Sequence, residues 1–327
     1  MDPTLTPAAL RKLRHALLTW YEEHRRELPW RRDADPYRVW VSEIMLQQTR
    51  VAAVVDHYAR FLQKFPTVQT LAGAREASVL AVWSGLGYYQ RARRMHQAAK
   101  LIARQRRGIF PRTAEEWREL PGIGRYTAAA IASIAFGEAV AVVDGNVERV
   151  VERMFGAAEG REAAWRRAGS LLDRQRPGDF NQAMMELGAT VCTPRAPQCP
   201  VCPLHDWCTS RGAIPARPQP ARKRKQLIYG LARRNGSVLL VQRPAEASLM
   251  AGLWELPALP DAQHNGAEPM AKLRHAITDT DYDVSVFTFA PAKFHAAAAN
   301  ARWFAQRQWE RLPLTGLARK ILRRVPA

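Results

Sequence analysis

Leu120-Pro121-Gly122-Ile123-Gly124-Arg125-Tyr126-Thr127 joins two helical stretches through a turn with two glycines, and an alanine-rich helix, Ala128 to Ala135, follows. Glycine at such a turn lets the backbone take a positive φ and aim several N–H groups outward at the start of a helix, where the dipole favours an anion. The same Gly-x-Gly also suits an ordinary helix–helix turn in which glycine closes the first helix. Charge bears on the choice. Lys and Arg total 49 against 30 Asp and Glu in 327 residues, a net +19, and a field of that sign draws in polyanions. Nucleic acid is the leading partner, and its phosphate the natural anion for the turn.

Outward from this turn, apolar residues recur at three- and four-residue spacing from Ala8 to about Leu187, as in Leu10, Leu13, Leu17, Trp20 and Tyr21, which predicts helices. Pro36, Pro66, Gly85, Gly108, Pro121, Gly145 and Pro177 punctuate the pattern, so the helices are short. Residues 212–225 are proline-rich and basic and read as an extended linker. Beyond them, Gln226–Ala232 and Val238–Gln242 flank Asn235-Gly236, the pattern of a hairpin with a tight primed turn. Val284–Phe289 is a further strand and Gly316–Val325 a closing helix. A chain of this length exceeds one ordinary core, so two domains are expected, helical 1–211 and an α+β module over 226–327. The N-terminus lacks a signal-peptide succession, and the longest apolar run, Ala128 to Val143, is broken by Ser133, Gly137 and Glu138. The expected setting is cytoplasmic, with no membrane partner.

Two acids stand out. Ala139 to Val143 stops at Asp144-Gly145-Asn146, after which Val147, Val150 and Val151 resume a helical face. Asp144 is thus placed at a helix N-terminus, where the dipole favours its ionised form. Glu43 lies on a helix predicted over Tyr37 to Arg50, among Val39, Trp40, Val41, Ile44, Met45 and Leu46, surroundings that raise a carboxyl's pKa by desolvation. Alone, each has an ordinary explanation, a helix cap and a solvated glutamate. As a pair, one acid protonated and one ionised, they form the arrangement that cleaves glycosidic bonds. Cys192, Cys199, Cys202 and Cys208 fall within 17 residues, with six, two and five residues between them. Thiols gathered on one short loop predict a metal centre, an iron–sulfur cluster or zinc, and not disulfides.

Leu28-Pro29-Trp30-Arg31, Ser42 to Thr49, Gly85-Leu86-Gly87-Tyr88-Tyr89, the glycine turn, Val143 to Val147 and the cysteine set together resemble the helix-hairpin-helix DNA glycosylases with an iron–sulfur cluster. Within that superfamily, residues 8–211 look like the MutY-type adenine DNA glycosylases. The resemblance implies a mainly α helix-hairpin-helix glycosylase fold, with a bundle over about 26–136 and a cluster subdomain of 1–25 plus 137–211. It implies a structural 4Fe–4S cluster on the four cysteines. It also implies excision of adenine paired with 8-oxoguanine or guanine in double-stranded DNA, with the nucleotide flipped out. Glu43 would be the general acid and later the base, Asp144 would stabilise the sugar cation, and Asn146 would place the leaving group or water. Tyr126 and Glu186 would line the base pocket with Trp30 and Arg31. Gln48 and Tyr88 would enter the base stack, with Leu86 beside them, and Gly122 and Gly124 would hold a phosphate. The protein would act as a nucleoid-associated monomer, with a replication clamp as a candidate partner for the basic linker.

The C-terminal residues, with the hairpin followed by Ala251-Gly252-Leu253-Trp254-Glu255-Leu256-Pro257, resemble the MutT-like, Nudix-fold domain by which this family recognises 8-oxoguanine. A hydrolytic Nudix helix needs clustered glutamates, whereas Ala258 to Lys272 holds only Asp261 and Glu268 as acids. The module is therefore expected to read a base, and in the segment Arg274 to Asp279 Thr278 keeps the hydroxyl of the family's lesion-reading loop while Ile277 and Asp279 depart from it. Glycosylases with lyase activity place a lysine amine where Tyr126 stands, and Leu101 to Arg222 contains no lysine, so a monofunctional enzyme is expected. A DNA-binding scaffold without catalysis would need neither Glu43 nor Asp144. Seven cations, Arg91, Arg93, Arg94, Lys100, Arg104, Arg106 and Arg107, follow Tyr88 with no acid among them and are candidates to neutralise phosphates.

Overall fold

The computed structural model describes residues 5–156, 160–212, 221–247, 249–259, 268–277, 279–289 and 300–325. Thr278 and residues 213–220 of the expected linker lie outside the described residues. The helices of the N-terminal two thirds are α1 (Pro7–His24), α2 (Pro36–Leu46), α3 (Val51–Lys64), α4 (Val68–Gly73), α5 (Glu76–Trp83), α6 (Gln90–Gln105), α7 (Ala114–Arg118), α8 (Arg125–Phe136), α9 (Gly145–Phe155), α10 (Arg161–Leu171) and α11 (Pro177–Thr190). Local chemistry fixes their ends. Thr6, Asp35 and Asp144 cap α1, α2 and α9 through their side chains, and Thr113 with Glu116 forms a capping box on α7. Gly137, at φ 69°, closes α8 in the left-handed region. The helix expected over Tyr37 to Arg50 is shorter than predicted. It ends at Leu46, because Gln48 takes φ 54° and α3 restarts at Val51.

The chain divides into two compact units, Met1–Ala72 with Gln97–Pro218, and Gly73–His96 with Gln219–Ala327. The segment Gly73–His96, which the sequence reading keeps inside the helical bundle, clusters with the C-terminal residues instead. In the first unit, one core gathers Leu13 and Leu17 of α1, Val147 and Val151 of α9, Ala164 of α10, Phe180 and Leu187 of α11, and Leu204 from the cysteine loop. Elsewhere in that unit Trp40 of α2 packs on Trp117 and Phe110, with ring centroids 5.7 and 6.5 Å away. No helix among the described residues is long and apolar enough to cross a membrane.

The second unit carries β1 (Lys223–Leu231), β2 (Arg233–Arg234), β3 (Ser237–Gln242), β4 (Trp254–Glu255), β5 (Ala271–Ile277), β6 (Thr280–Thr288) and β7 (Ala301–Ala305), then α12 (Gln306–Trp309) and α13 (Gly316–Arg324). β1 runs parallel to β6, from Lys223 opposite Thr280 to Leu231 opposite Thr288, and β5 pairs antiparallel with β6. In a second sheet β3 pairs with β7 along Ser237–Val241, and with β2 and β4 at its two ends. The hairpin expected between Gln226–Ala232 and Val238–Gln242 is thus corrected. Asn235 and Gly236 do form the tight turn, at φ 50° and 70°, but only Arg233 and Arg234 pair across it, while β1 joins the other sheet. α13 closes this unit's core with Leu317 and Ile321 against Leu240, Trp254 and Val286.

Two glycines of α11 allow it to approach its neighbours. A Cβ on Gly178 would lie 2.7 Å from the Ser133 carbonyl oxygen of α8, and one on Gly188 would lie 2.6 Å from Cβ of Asn146 and 2.9 Å from its carbonyl oxygen. Backbone cannot yield as a flexible side chain can, so Gly188→Ala should destabilise the protein by about 1–3 kcal/mol, the usual cost of overpacking. Urea unfolding of the two proteins checks this, and an unchanged midpoint would show that α11 can move away from α9.

Candidate active site

α2 carries Glu43 inward, where it is only 6% exposed and its Oε2 has no hydrogen-bond partner. Burial pushes its carboxyl up to about 7; a hydrogen bond from Tyr126 opposes that push, the nearby Asp144 carboxylate adds to it, and Arg31 opposes it. Tyr126, Asp144 and Arg31 thus all lie within electrostatic reach of Glu43. Tyr126 stands in the first turn of α8, its hydroxyl 3.1 Å from the Met185 sulfur, and burial with the charges of Glu43 and Asp144 raises its pKa well above the usual tyrosine value.

Asp144 is in the opposite situation. As N-cap of α9 it accepts N–H bonds from Asn146 and Val147 on Oδ1, at 2.9 and 2.8 Å, and one from the Asn146 side-chain amide on Oδ2, at 2.9 Å. Three donors converge on one carboxylate at a helix N-terminus, where the dipole also favours negative charge. Asn146 is fixed in turn, because its side-chain oxygen accepts from Arg149 at 2.9 Å.

Arg149 and Arg153, which the sequence reading did not name, contact Asn146 and the cysteine loop. Arg149 also donates to the carbonyls of Gly188 at 2.5 Å and Cys192 at 2.8 Å. Arg153, buried one turn further along α9, lies 3.2 Å from Cys192 Sγ and donates to the carbonyls of Thr193 and Pro194 at 2.8 and 3.1 Å. The helix capped by Asp144 is thereby tied to the cysteine loop. Two arginines four apart beside Val150 and Val151 were the available signal, since that spacing puts both on one face.

All four cysteines line one cavity, together with Arg153, Val191, Pro197, Gln198, His205, Arg211 and Gly212. Burial pushes the Cys202 thiol up to about 11, the Leu204 amide opposes this, and the charges of Cys192, Cys208 and Cys199 add to it. Among the described residues no group of three or more His, Cys, Asp or Glu is placed to hold a single metal ion. Four sulfur donors on one cavity are an all-thiolate set, chemistry that suits an iron–sulfur cluster or zinc.

The other expected site residues fall in varied places. Glu186, 1% exposed, has both oxygens engaged, by Arg26 at 2.6 and 2.8 Å and by Arg31 at 2.9 Å. Burial pushes its carboxyl up, but the hydrogen bonds from Arg26 and Arg31 outweigh that and hold it below its ordinary value. Its contribution is thus to orient Arg31, and Arg26 is a partner the sequence reading did not name. Trp30 is buried, edge-on to Tyr58 with centroids 5.4 Å apart. Gly122 has φ 81°, whereas Gly124 is extended at φ −89° and caps α8 with no side-chain hydrogen bond, so the exposed start of α8 keeps its amides for an anion. Gln48 is exposed at φ 54°, and Tyr88 is 43% exposed at φ 48°. Leu86 is corrected, being only 6% exposed and so interior in its unit, where it offers a carbonyl to Arg91 at 3.3 Å and no surface side chain. The seven cations after Tyr88 are not all surface charges without acids. Arg93 pairs with Glu76 at 2.9 Å, Arg106 with Glu119 at 3.1 Å, and Arg91 lies over the Trp83 and Tyr88 rings at 5.3 and 5.5 Å.

Residues 41–171 match the HhH-GPD superfamily of base excision DNA repair proteins. The chain is 36% identical to the adenine DNA glycosylase of Mus musculus, over 95% of this chain and 77% of the relative. It is 39% identical to the adenine DNA glycosylase of Rattus norvegicus, over 80% of this chain and 64% of that one, and so spans just under two thirds of that relative's length. A solved thermostable thymine-DNA glycosylase superposes with a TM-score of 0.58 at 29% identity, over 63% of this chain and 97% of that one. An endonuclease III bound to DNA gives 0.56 at 22% identity over 64% and 98%, a likeness of fold alone. The chain belongs to the adenine DNA glycosylase family.

The raised Glu43 pKa has a consequence for stability. A carboxyl that titrates at about 7 in the fold and near 4.5 when unfolded binds the extra proton in the fold between those values. It therefore costs stability as pH rises from about 4.5, with the full cost present above about 7. Glu43→Gln should gain stability relative to the native chain by on the order of 1–3 kcal/mol between pH 5 and pH 8. Denaturant melts at the two pH values test this, and a difference that does not grow with pH would place the native carboxyl in water.

Proposed function

We propose that this chain is a monofunctional DNA glycosylase that hydrolyses the N-glycosidic bond of adenine paired with 8-oxoguanine or guanine and so begins base excision repair. The carrying observation is the contrast between two interacting carboxyls, Glu43 desolvated with an unpartnered oxygen and Asp144 gripped by three N–H donors. The family membership and the net charge of +19 agree with a DNA substrate.

With adenosine extruded from the duplex, the protonated Glu43 donates to a ring nitrogen of the adenine. The C1′–N9 bond breaks with its electron pair going to the base, and Asp144 faces the positive charge left on the sugar. Glu43, now a carboxylate, takes a proton from the water that attacks C1′, restoring its starting state. Tyr126, held neutral by its raised pKa, fixes the Glu43 carboxyl. Asn146, locked by Arg149, steadies Asp144. The amides at the start of α8 take a DNA phosphate, and Gln48 and Tyr88 fill the stack where the bases part. Cys192, Cys199, Cys202 and Cys208 would hold a 4Fe–4S cluster, which supplies cross-linking of the loop that Arg149 and Arg153 join to α9. The C-terminal unit would read the 8-oxoguanine, in keeping with its resemblance to a MutT-like domain.

Single-turnover release of free adenine from an adenine:8-oxoguanine duplex should fall by roughly 10²–10⁴-fold in Glu43→Gln while duplex binding persists, and borohydride should trap no protein–DNA adduct. Retained release would remove Glu43 from the chemistry, and efficient trapping would point to an amine nucleophile. Iron and sulfide analysis of the purified chain should give about four of each; a single zinc would overturn the cluster.

A further inference from the structure

Between α5 and α6 the chain makes a turn with three left-handed residues in four, Gly85 at φ 110°, Gly87 at φ 70° and Tyr88 at φ 48°. Glycine takes such angles freely but tyrosine does not, so something must hold Tyr88 there. Part of the hold is local. Trp83 Nε1 donates to the Gly87 carbonyl at 3.1 Å, and Arg91 donates to the same carbonyl at 3.3 Å while lying over the Tyr88 ring. The rest comes from far along the sequence. The Ser84 hydroxyl, immediately before the turn, donates to the Leu314 carbonyl at 2.7 Å, and the Tyr89 hydroxyl, immediately after it, donates to that same oxygen at 2.8 Å. Arg319 of α13 donates to the Ser84 oxygen at 3.0 Å. Ser84, Tyr89 and Leu314 are all buried.

The acceptor is itself rigid. Leu314 lies in the corner between α12 and α13, where Trp254 of β4 donates its amide to Pro313 at 2.9 Å and accepts from the Thr315 amide at 2.9 Å. One carbonyl thus closes both ends of the turn that presents Tyr88.

We infer that the Leu314–Arg319 corner of the C-terminal unit positions Tyr88 for insertion into the base stack, a second role for residues otherwise read as part of a lesion-reading module. This rests on the proposed function of Tyr88. Removing the clamp leaves the ring present but lets its backbone leave the left-handed region, so base extrusion should suffer more than duplex affinity.

The test is stopped-flow fluorescence of full-length protein with a duplex that carries 2-aminopurine beside the target adenine opposite 8-oxoguanine. The Ser84→Ala, Tyr89→Phe double variant should lose roughly 5- to 30-fold in the extruded fraction, the range corresponding to one or two modest buried hydrogen bonds. Arg319→Met, which keeps both hydroxyls and guards against a variant that does not fold, should show a smaller loss in the same direction. In a Tyr88→Ala background neither change should lower extrusion further, because the clamp acts only through that residue. Normal extrusion in the folded clamp variants, or losses that add to that of Tyr88→Ala, would overturn the inference and leave the proposed function standing. A Tyr88→Ala protein that extrudes adenine normally would overturn both the inference and the part assigned to Tyr88.

Discussion

Removal of water from one carboxyl, Glu43, is the constraint on which the active site depends. A buried carboxylate with one oxygen lacking a hydrogen-bond partner is costly, so the fold favours the proton on Glu43 up to near neutrality. Around the neighbouring carboxyl of Asp144, backbone amides and a side-chain amide take the place of water. The division of labour proposed for the two acids thus rests on their different surroundings, and both residues could be mistaken for ordinary structure when viewed alone.

Keeping the two environments distinct requires a rigid frame, and α9 and α11 supply it. The Gly188 contact lets the helices approach until only hydrogen would fit, Arg149 spans them, and Arg153 carries the connection to the cysteine loop. Arg149 is also desolvated, and burial lowers its pKa, which is tolerated because it gives its hydrogen bonds to carbonyls and to Asn146. In this reading the cysteine centre acts on catalysis only by stiffening the element that Asp144 begins.

Much of this was legible in the chain because the relevant signals are local. The glycine turn, the Asp144 cap, the apolar surroundings of Glu43 and the cysteine spacing each depend on a few neighbouring residues. What escaped depends on long-range pairing. Arg26 meets Glu186 across 160 positions and Arg149 meets Cys192 across 43, separations over which nothing local pairs the two residues. β1 has the alternation of a hairpin strand, but its edge is satisfied by β6, since pairing choice is decided by tertiary packing and not by the turn that follows. Leu86 sits inside a glycine-rich motif that reads as exposed, yet the left-handed turn folds it inward.

Gln48 and Tyr88, two of the left-handed non-glycine residues, set stability against the use proposed for them. Each holds a conformation that costs of order 1–3 kcal/mol, and glycine at either place would relieve the strain while deleting the side chain that can occupy a gap in stacked bases. A survey for more heat-resistant variants would therefore be drawn to these positions, and the proteins it recovered would be sturdier and poorer at opening a duplex.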